Sequence, residues 1–293
     1  MQKMKKWALL LLCLALLLPA AAWADEAIVI DKTKGENADF AFPEDAQLLE
    51  IYFPKIGGCD AAFVRYGEFS MLIDCAGNQW RETKKMLDKL EVKELTYALN
   101  SHPDADHIGG FNHVLKEIPA GEFLLGFPED FPEGDTLRFK VYEDLHKLEI
   151  PFRQMKNGDT LDFGEVKVTA VQRTDIGLQR VNNQSLMLMV QLGERRIFFA
   201  GDLQRDGQLK AIEDQENMDI RADILKAPHH AYKPMQAGFL EMLDPAAVII
   251  TSGRSTAEGV DQLKKASIPY FFCEQGILRL ATDGNVWTIE RVK

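Results

Sequence analysis

Four nitrogen and oxygen donors fall within six residues of this chain. They are His102, Asp104, Asp106 and His107, spaced H-x-D-x-D-H and followed by Gly109-Gly110. Imidazole and carboxylate at this density suit a borderline or hard divalent cation, and the glycine pair would let the backbone turn tightly against the site. Only six His occur in the chain. Two of the others stand together as His229-His230, at the end of the apolar run ADILKAPHH (222–230). Asp202 closes RRIFFAGD (195–202), and Ser252-Gly253-Arg254 close AAVIITSGR (246–254). Acids and imidazoles repeated at the ends of apolar runs make poor core filler, because burying them unpaired is costly and a metal compensates both. His113 and His146 sit in helical stretches and read as structural.

The segments that must carry these residues read as short strands and helices. LLEIYF (48–53), AAFVRY (61–66) and SMLIDCA (70–76) are apolar or alternating runs separated by Gly57-Gly58 and Gly67-Glu68, which predicts strands joined by turns. Residues 78–92 have helical spacing (Trp80, Met86, Leu87, Leu90), and ELTYALN (94–100) is a buried strand leading into the His102 loop. FLLGF (123–127) is a strand, 127–135 a loop and 137–148 a helix. Hairpins follow around Gly164 and Gly193-Glu194. From there helices (203–215, 234–243, 256–267) alternate with strands at 222–228 and 246–253, and IPYFFCEQ and ILRLATDG add two more strands. Hairpins followed by αβ alternation predict one α/β domain over residues 45–293, with two sheets covered by helices.

The chain has 293 residues, 34 Lys and Arg against 45 Asp and Glu, and a net charge of −11. It therefore has no overall field drawing it to nucleic acid or anionic lipid. Its first 24 residues combine Lys3, Lys5 and Lys6, an apolar run from Trp7 to Leu18, and Ala22-Trp23-Ala24. That is the pattern of a signal peptide cleaved near Ala24, too short in its apolar part for a spanning helix, and it predicts an exported protein with no membrane span after cleavage. Removing it takes three Lys and no acid, leaving −14. Residues 25–44 read as a loosely held lead-in. Cys59, Cys75 and Cys273 show no C-x-x-C spacing and read as buried free thiols.

These segments together resemble the metallo-β-lactamase superfamily, and within it the hydrolase domain of ComEC-type competence proteins. IGGCDAAFVRYGEFSMLIDCAG (56–77) is similar to that family's opening, SHPDADHIGG (101–110) to its metal loop, NNQSLML with IFFAGD to its following hairpin, and LKAPHHAYK (225–233) to its His-pair segment. The resemblance runs from about Leu48 to Val286. It implies a four-layer αββα sandwich and two divalent ions, Mn²⁺ or Zn²⁺, with Mg²⁺ a third candidate. It also implies one half-site of His102, Asp104 and Asp202, and another of Asp106, His107, Asp202 and His229 or His230. The chain departs from the common pattern: Asp104 stands where a His is usual, Asn182-Asn183 where a further His would fall, Cys59 in the opening, and Ala231-Tyr232 in place of Gly-Ser.

In such a site a bound water becomes hydroxide near neutral pH and the cations polarise the scissile oxygen. Asp106 would bind metal and orient the nucleophile, and whichever of His229 and His230 is not a ligand would serve the leaving group. Asn182, Asn183, Lys226, Lys233 and Arg254 are the candidate substrate contacts, the three cations neutralising a phosphate. The expected reaction is hydrolysis of a phosphodiester. The resemblance implies a nuclease-like activity; the net charge argues against tight binding of long nucleic acid, so a small phosphodiester or a cell-wall phosphoester stands beside it. A lactone or thioester hydrolase and a metal-binding protein without turnover are the alternatives.

Overall fold

The computed structural model describes residues 29–171, 181–214 and 219–292. The signal peptide expected over residues 1–24 lies outside the described residues. Among those described, no helix is long and apolar enough to cross a membrane.

The strands are β1 (Val29–Asp31), β2 (Leu49–Phe53), β3 (Ala61–Tyr66), β4 (Phe69–Cys75), β5 (Leu95–Asn100), β6 (Ala120–Leu125), β7 (Phe152–Gln154), β8 (Thr160–Phe163), β9 (Val166–Val171), β10 (Met187–Leu192), β11 (Arg195–Phe199), β12 (Ile224–Lys226), β13 (Ala247–Ile250), β14 (Tyr270–Phe272), β15 (Leu278–Thr282) and β16 (Trp287–Arg291). The helices are α1 (Trp80–Lys89), α2 (Ala105–Ile108), α3 (Phe111–Val114), α4 (Leu137–Lys147), α5 (Arg205–Glu213), α6 (Ala237–Leu243) and α7 (Glu258–Lys265). One sheet runs β1-β16-β15-β2-β3-β4-β5-β6-β7 and the other β14-β13-β12-β11-β10-β9-β8.

Period-two alternation sends Leu49, Ile51 and Phe53 of β2 and Met71 and Ile73 of β4 to one face. There they pack on Leu188, Val190, Ile197, Phe199 and Ile249 of the second sheet. The opposite faces are apolar too, so central strands read as continuous runs. Leu72, Ala98 and Phe123 lie under Met86, Leu87, Ile108, Phe111, Val141 and Leu145 of α1 to α4. Phe198, Leu225 and Val248 lie under Ala211, Phe239, Leu243 and Leu263 of α5 to α7. The result is the expected four-layer αββα sandwich. Each fully buried Leu or Phe contributes about 1.5–3 kcal/mol.

Two runs of parallel strands set the site. β4 through β7 are parallel neighbours in the first sheet and β11 through β14 in the second. Their carboxyl ends carry Asp74, Ser101-His102, Asp202, His229-His230 and Thr251. Carboxyl ends of parallel strands are where layered α/β folds place ligands.

Two expectations need correction. The lead-in is not loose throughout: β1 pairs in parallel with β16, Val29 opposite Trp287. Gly109 and Gly110 both have ordinary right-handed helical angles, so they do not serve a tight turn. They are needed for space, since a Cβ on Gly110 would lie 1.8 Å from the Cys75 carbonyl oxygen. Cys59, Cys75 and Cys273 are free and buried as expected, and burial pushes the Cys59 thiol up to about 12.

Candidate metal centre

The His102 loop is one turn of helix where the sequence reads as coil. Asp104 precedes α2, its carbonyl accepting the amides of His107 and Ile108. That turn buries His107 completely and leaves Asp106 partly exposed. Across from it the chain Pro228–Ala231 makes a left-handed turn in which His229, His230 and Ala231 all have positive φ, at 46, 54 and 59°. Non-glycine residues in this region are strained by about 1–3 kcal/mol each, and such strain concentrates at functional sites. Here it sends the His230 ring into the interior and leaves His229 at the rim, with about a third of its side chain exposed.

Asp106, His107, Asp202 and His230 each offer one donor atom, and the four atoms lie within 4.8 Å of one another. His107 Nε2 is 3.3 Å from Asp202 Oδ1, and His230 Nε2 is 3.4 Å from both Asp202 Oδ2 and Asp106 Oδ2. A tetrahedral centre with metal–ligand bonds near 2 Å has edges of ~3.3 Å. His107 Nε2, His230 Nε2, Asp202 Oδ1 and His102 Nε2 are buried without a hydrogen-bond partner among the described residues. Eight other buried side-chain atoms among the described residues also lack a hydrogen bond, but none of them belongs to the Asp106, His107, Asp202 and His230 cluster. Orphaned lone pairs from two imidazoles and a carboxylate, all aimed at one point, fit a divalent ion.

The other ring nitrogen of each imidazole is engaged. His107 Nδ1 lies 2.8 Å from Asp74 Oδ2. Asp74 also accepts from the Asn100 amide, the Ser101 backbone N–H and the Ser101 hydroxyl at 2.7–2.8 Å. His230 Nδ1 lies 3.2 Å from Asp60 Oδ1. A carboxylate behind each imidazole fixes the tautomer that leaves Nε2 free for a metal. Burial alone would lower both imidazole pKa values. With no ion bound, the carboxylates outweigh it, Asp202 and Asp74 for His107 and Asp202 and Asp60 for His230, and hold each ring well above its ordinary range, so a metal would take its place at each Nε2 by displacing a proton. Burial likewise pushes Asp202 up, but His230 and His107 hold it well below. Asp60, Asp74 and His107 also cluster, but those oxygens are filled by the hydrogen bonds above and by Lys226, so this inner group is support for the centre rather than a second site.

Of the residues singled out from the sequence as metal ligands, the structure brings Asp106, His107, Asp202 and His230 to one point, and His230 is the member of the His pair that enters the cluster. His102 and Asp104 form their own pair beside it, His102 Nε2 3.7 Å from Asp104 Oδ2 and the His102 ring 4.0 Å from that of His107. His229 Nε2 reaches Asp202 Oδ2 only at 3.9 Å. Lys226 is not a rim cation: it is 3% exposed and ion-paired with Asp60. Lys233 is exposed and paired with Glu258. Asn183 is buried, its amide oxygen accepting the backbone N–H of Gln204 and Gly207 at the start of α5, so it shapes that helix. Asn182 lies beside it, its carbonyl accepting the Ser185 amide. Arg254 stands over the Tyr232 ring at 4.6 Å, and that ring lies 5.2 Å from His230 and 5.7 Å from His229. His113 stacks on Trp80 and His146 packs edge-on against Phe152, structural roles as expected. Asp60 and Asp74 were missed. Asp74 ends an apolar strand in SMLIDC much as Asp202 follows one in RRIFFAGD, and the same rule would have found it.

Known proteins carry related chains. This chain is 25% identical over 238 residues to ComE operon protein 3 of Bacillus subtilis (strain 168), a match covering 74% of this chain and 30% of that protein. It is 28% identical over 172 residues to competence protein ComA of Neisseria gonorrhoeae, covering 58% and 22%. The chain thus spans less than a third of the length of these relatives. Among solved structures, a metal-dependent hydrolase of the beta-lactamase superfamily superposes with a TM-score of 0.53 at 15% identity, over 79% of this chain and 98% of that one. A variant of CmlA beta-hydroxylase does so at 0.52 and 14%, over 83% and 54%. These two likenesses speak to the fold alone. The family model of the metallo-beta-lactamase superfamily matches residues 54–253, from just after β2 to just after β13 and across every donor described above, and the chain belongs to that superfamily.

Proposed function

We propose that this chain is an exported metal-dependent hydrolase acting on a phosphodiester, most plainly a small one. The observation that carries the reading is the set of orphaned donors on Asp202, His107 and His230, with both imidazoles braced from behind by carboxylates. Asp106, His107, Asp202 and His230 would hold one divalent ion, and His102 with Asp104 would begin a second position; Mn²⁺ or Zn²⁺ are the candidates, with Mg²⁺ behind them. A bound divalent ion supplies acidification of water and polarisation of the scissile oxygen.

The chain's own residues do the rest. Asp106, partly exposed at the mouth, orients the attacking water through a carboxylate oxygen. Burial lowers the His229 pKa, so its ring is neutral near pH 7 and offers an N–H to the leaving oxygen. Arg254, held over Tyr232, receives the negative charge of the phosphoryl group. The net charge of −14 that the exported chain would carry disfavours long polyanions.

The test is hydrolysis of bis(p-nitrophenyl) phosphate by the metal-loaded protein beside a lactone and thioester panel. Turnover of the phosphodiester, abolished by Asp106→Ala, is expected. A specific observation favours the ester reading as runner-up: of the three candidate cations, Lys226 and Lys233 are both taken up by carboxylates, while Arg254 stands over the Tyr232 ring. Turnover of the lactone with none of the phosphodiester would replace the first reading with the second. Metal uptake without turnover of either would leave a binding protein.

A further inference from the structure

Lys226 ends β12 with no solvent around it, an unusual place for an ammonium group. Its Nζ donates to Asp60 Oδ2 and lies 3.4 Å from the Gly201 carbonyl and 3.9 Å from Asp202 Oδ1. Asp60 directly precedes β3, and Thr251 directly follows β13. The Thr251 hydroxyl donates to Asp60 Oδ1 at 2.5 Å. His230 Nδ1 then faces two oxygens, Asp60 Oδ1 at 3.2 Å and Thr251 Oγ1 at 3.0 Å.

The protons in this chain can be counted. An ammonium has only donors, so Asp60 Oδ2 accepts. The carboxylate opposite Lys226 is acceptor-only, so the single Thr251 hydroxyl proton goes to Asp60 Oδ1. Both oxygens facing His230 Nδ1 are then acceptors, and that nitrogen must carry its proton. The Nε2 lone pair is left for the cluster. The polarity of the whole sequence is set at its far end.

We propose that Lys226 is a positioning residue for the metal centre: by fixing Asp60 as an acceptor it forces the Nδ1–H tautomer of His230 and presents Nε2 to the ion. The inference rests on reading the cluster as a metal centre. Lys226 touches neither ion nor substrate and acts only through Asp60, Thr251 and His230. His107 reaches the same tautomer without a lysine, because its partner Asp74 is fixed by three other donors.

Two measurements test it, with Zn²⁺ as the probe. The first uses the unaltered protein: ¹⁵N-detected imidazole NMR of the Zn²⁺-loaded chain. His230 is expected with a protonated Nδ1 and a ligated Nε2; ligation through Nδ1 overturns the inference. The second is a double-mutant cycle read by Zn²⁺ competition against a chelator and by the visible bands of the Co²⁺-loaded protein. Lys226→Met is expected to lower Zn²⁺ affinity by about 10–100-fold and change the Co²⁺ spectrum. In an Asp60→Asn background the same change is expected to cost less than about threefold, since the residue it acts through is already altered. Wild-type affinity and spectrum in Lys226→Met, or an equal loss in both backgrounds, overturns it. Breaking a buried pair by removing one partner is strongly destabilising. Should Lys226→Met not fold, Lys226→Arg, which keeps a donor-only cation against Asp60, is read instead: Zn²⁺ affinity within about threefold of wild type is expected, and a loss of about 10–100-fold overturns the inference. A wild-type chain that takes up neither Zn²⁺ nor Co²⁺ overturns the metal-centre reading itself, whereas normal uptake with an unaffected Lys226→Met variant overturns this inference only.

Discussion

Each imidazole that faces the centre has spent one nitrogen on a carboxylate and kept the other, and this division of labour makes individual substitutions separable. Asp74→Asn keeps the size but replaces one accepting oxygen with a donor, so His107 loses a charged acceptor. Zn²⁺ affinity should fall by about 10–100-fold while the fold survives, checked by chelator competition beside circular dichroism; unchanged affinity would show that Asp74 serves only Asn100 and Ser101. The His pair should divide cleanly. His230→Ala removes a donor and should abolish stoichiometric metal uptake. His229→Ala, at the rim, should keep the metal and lower turnover of the preferred ester by about 10²–10³-fold, the cost of losing one hydrogen-bond donor to developing charge. Metal loss in His229→Ala and not in His230→Ala would reverse the assignment. The sequence carries the donors but not which of two adjacent imidazoles turns inward, because three consecutive positive-φ residues decide that. It also hides Asp60, which follows Gly57-Gly58 at a strand start, and the burial of Lys226, since a lysine at a strand end ordinarily reaches solvent.

At the scale of elements, the site depends on how closely the metal loop approaches β4. Gly110 precedes α3 with its Cα against the end of β4, where a Cβ would meet the Cys75 carbonyl oxygen at 1.8 Å and its carbon and sulfur at 2.8 Å. Two of those atoms are backbone and cannot swing away. Gly110→Ala should therefore cost about 1–3 kcal/mol or more, seen as a lower urea midpoint with the slope unchanged. It should also weaken metal binding, because the loop carrying Asp106 and His107 is forced off the strand carrying Asp74. A wild-type midpoint would show that the layers slide apart freely. The central strands and the longer helices were legible because strands buried on both faces give unbroken apolar runs and helices such as α1 give a 3.6-residue stripe. β1 and β7 were not legible: each has three residues at a sheet edge, too few for alternation to register. α2 and α3, four residues each, owe their helical form to packing on the sheet rather than to any periodicity.

At the scale of the whole molecule, the two sheets hold together by an apolar interior, while the outward face of the first is tied by charge. Glu50 of β2 accepts from Arg65 of β3 at 2.5 Å and from Arg279 of β15 at 2.8 Å, and Arg279 continues to Glu290 of β16. Four neighbouring strands are thus linked across their register by one network, which includes none of the metal-centre donors. Burial pushes the Glu50 carboxyl up, but Arg65, Tyr52 and Arg279 outweigh it and hold the pKa below the usual carboxylate value. The sign follows from linkage. A carboxyl whose folded pKa is depressed adds stability that is fully present above its unfolded pKa, about 4.3, and that is lost as pH falls through the lower folded value. Glu50→Gln lacks this titration. The gap in urea midpoint between wild type and Glu50→Gln, measured with chelator present so that metal uptake does not enter, should be widest at pH 6–7 and shrink steadily below about pH 4.5. A gap of constant width down to pH 3 would mean that the arginines contribute by packing their stems across the strands, and that the charge on Glu50 does not help hold the sheet.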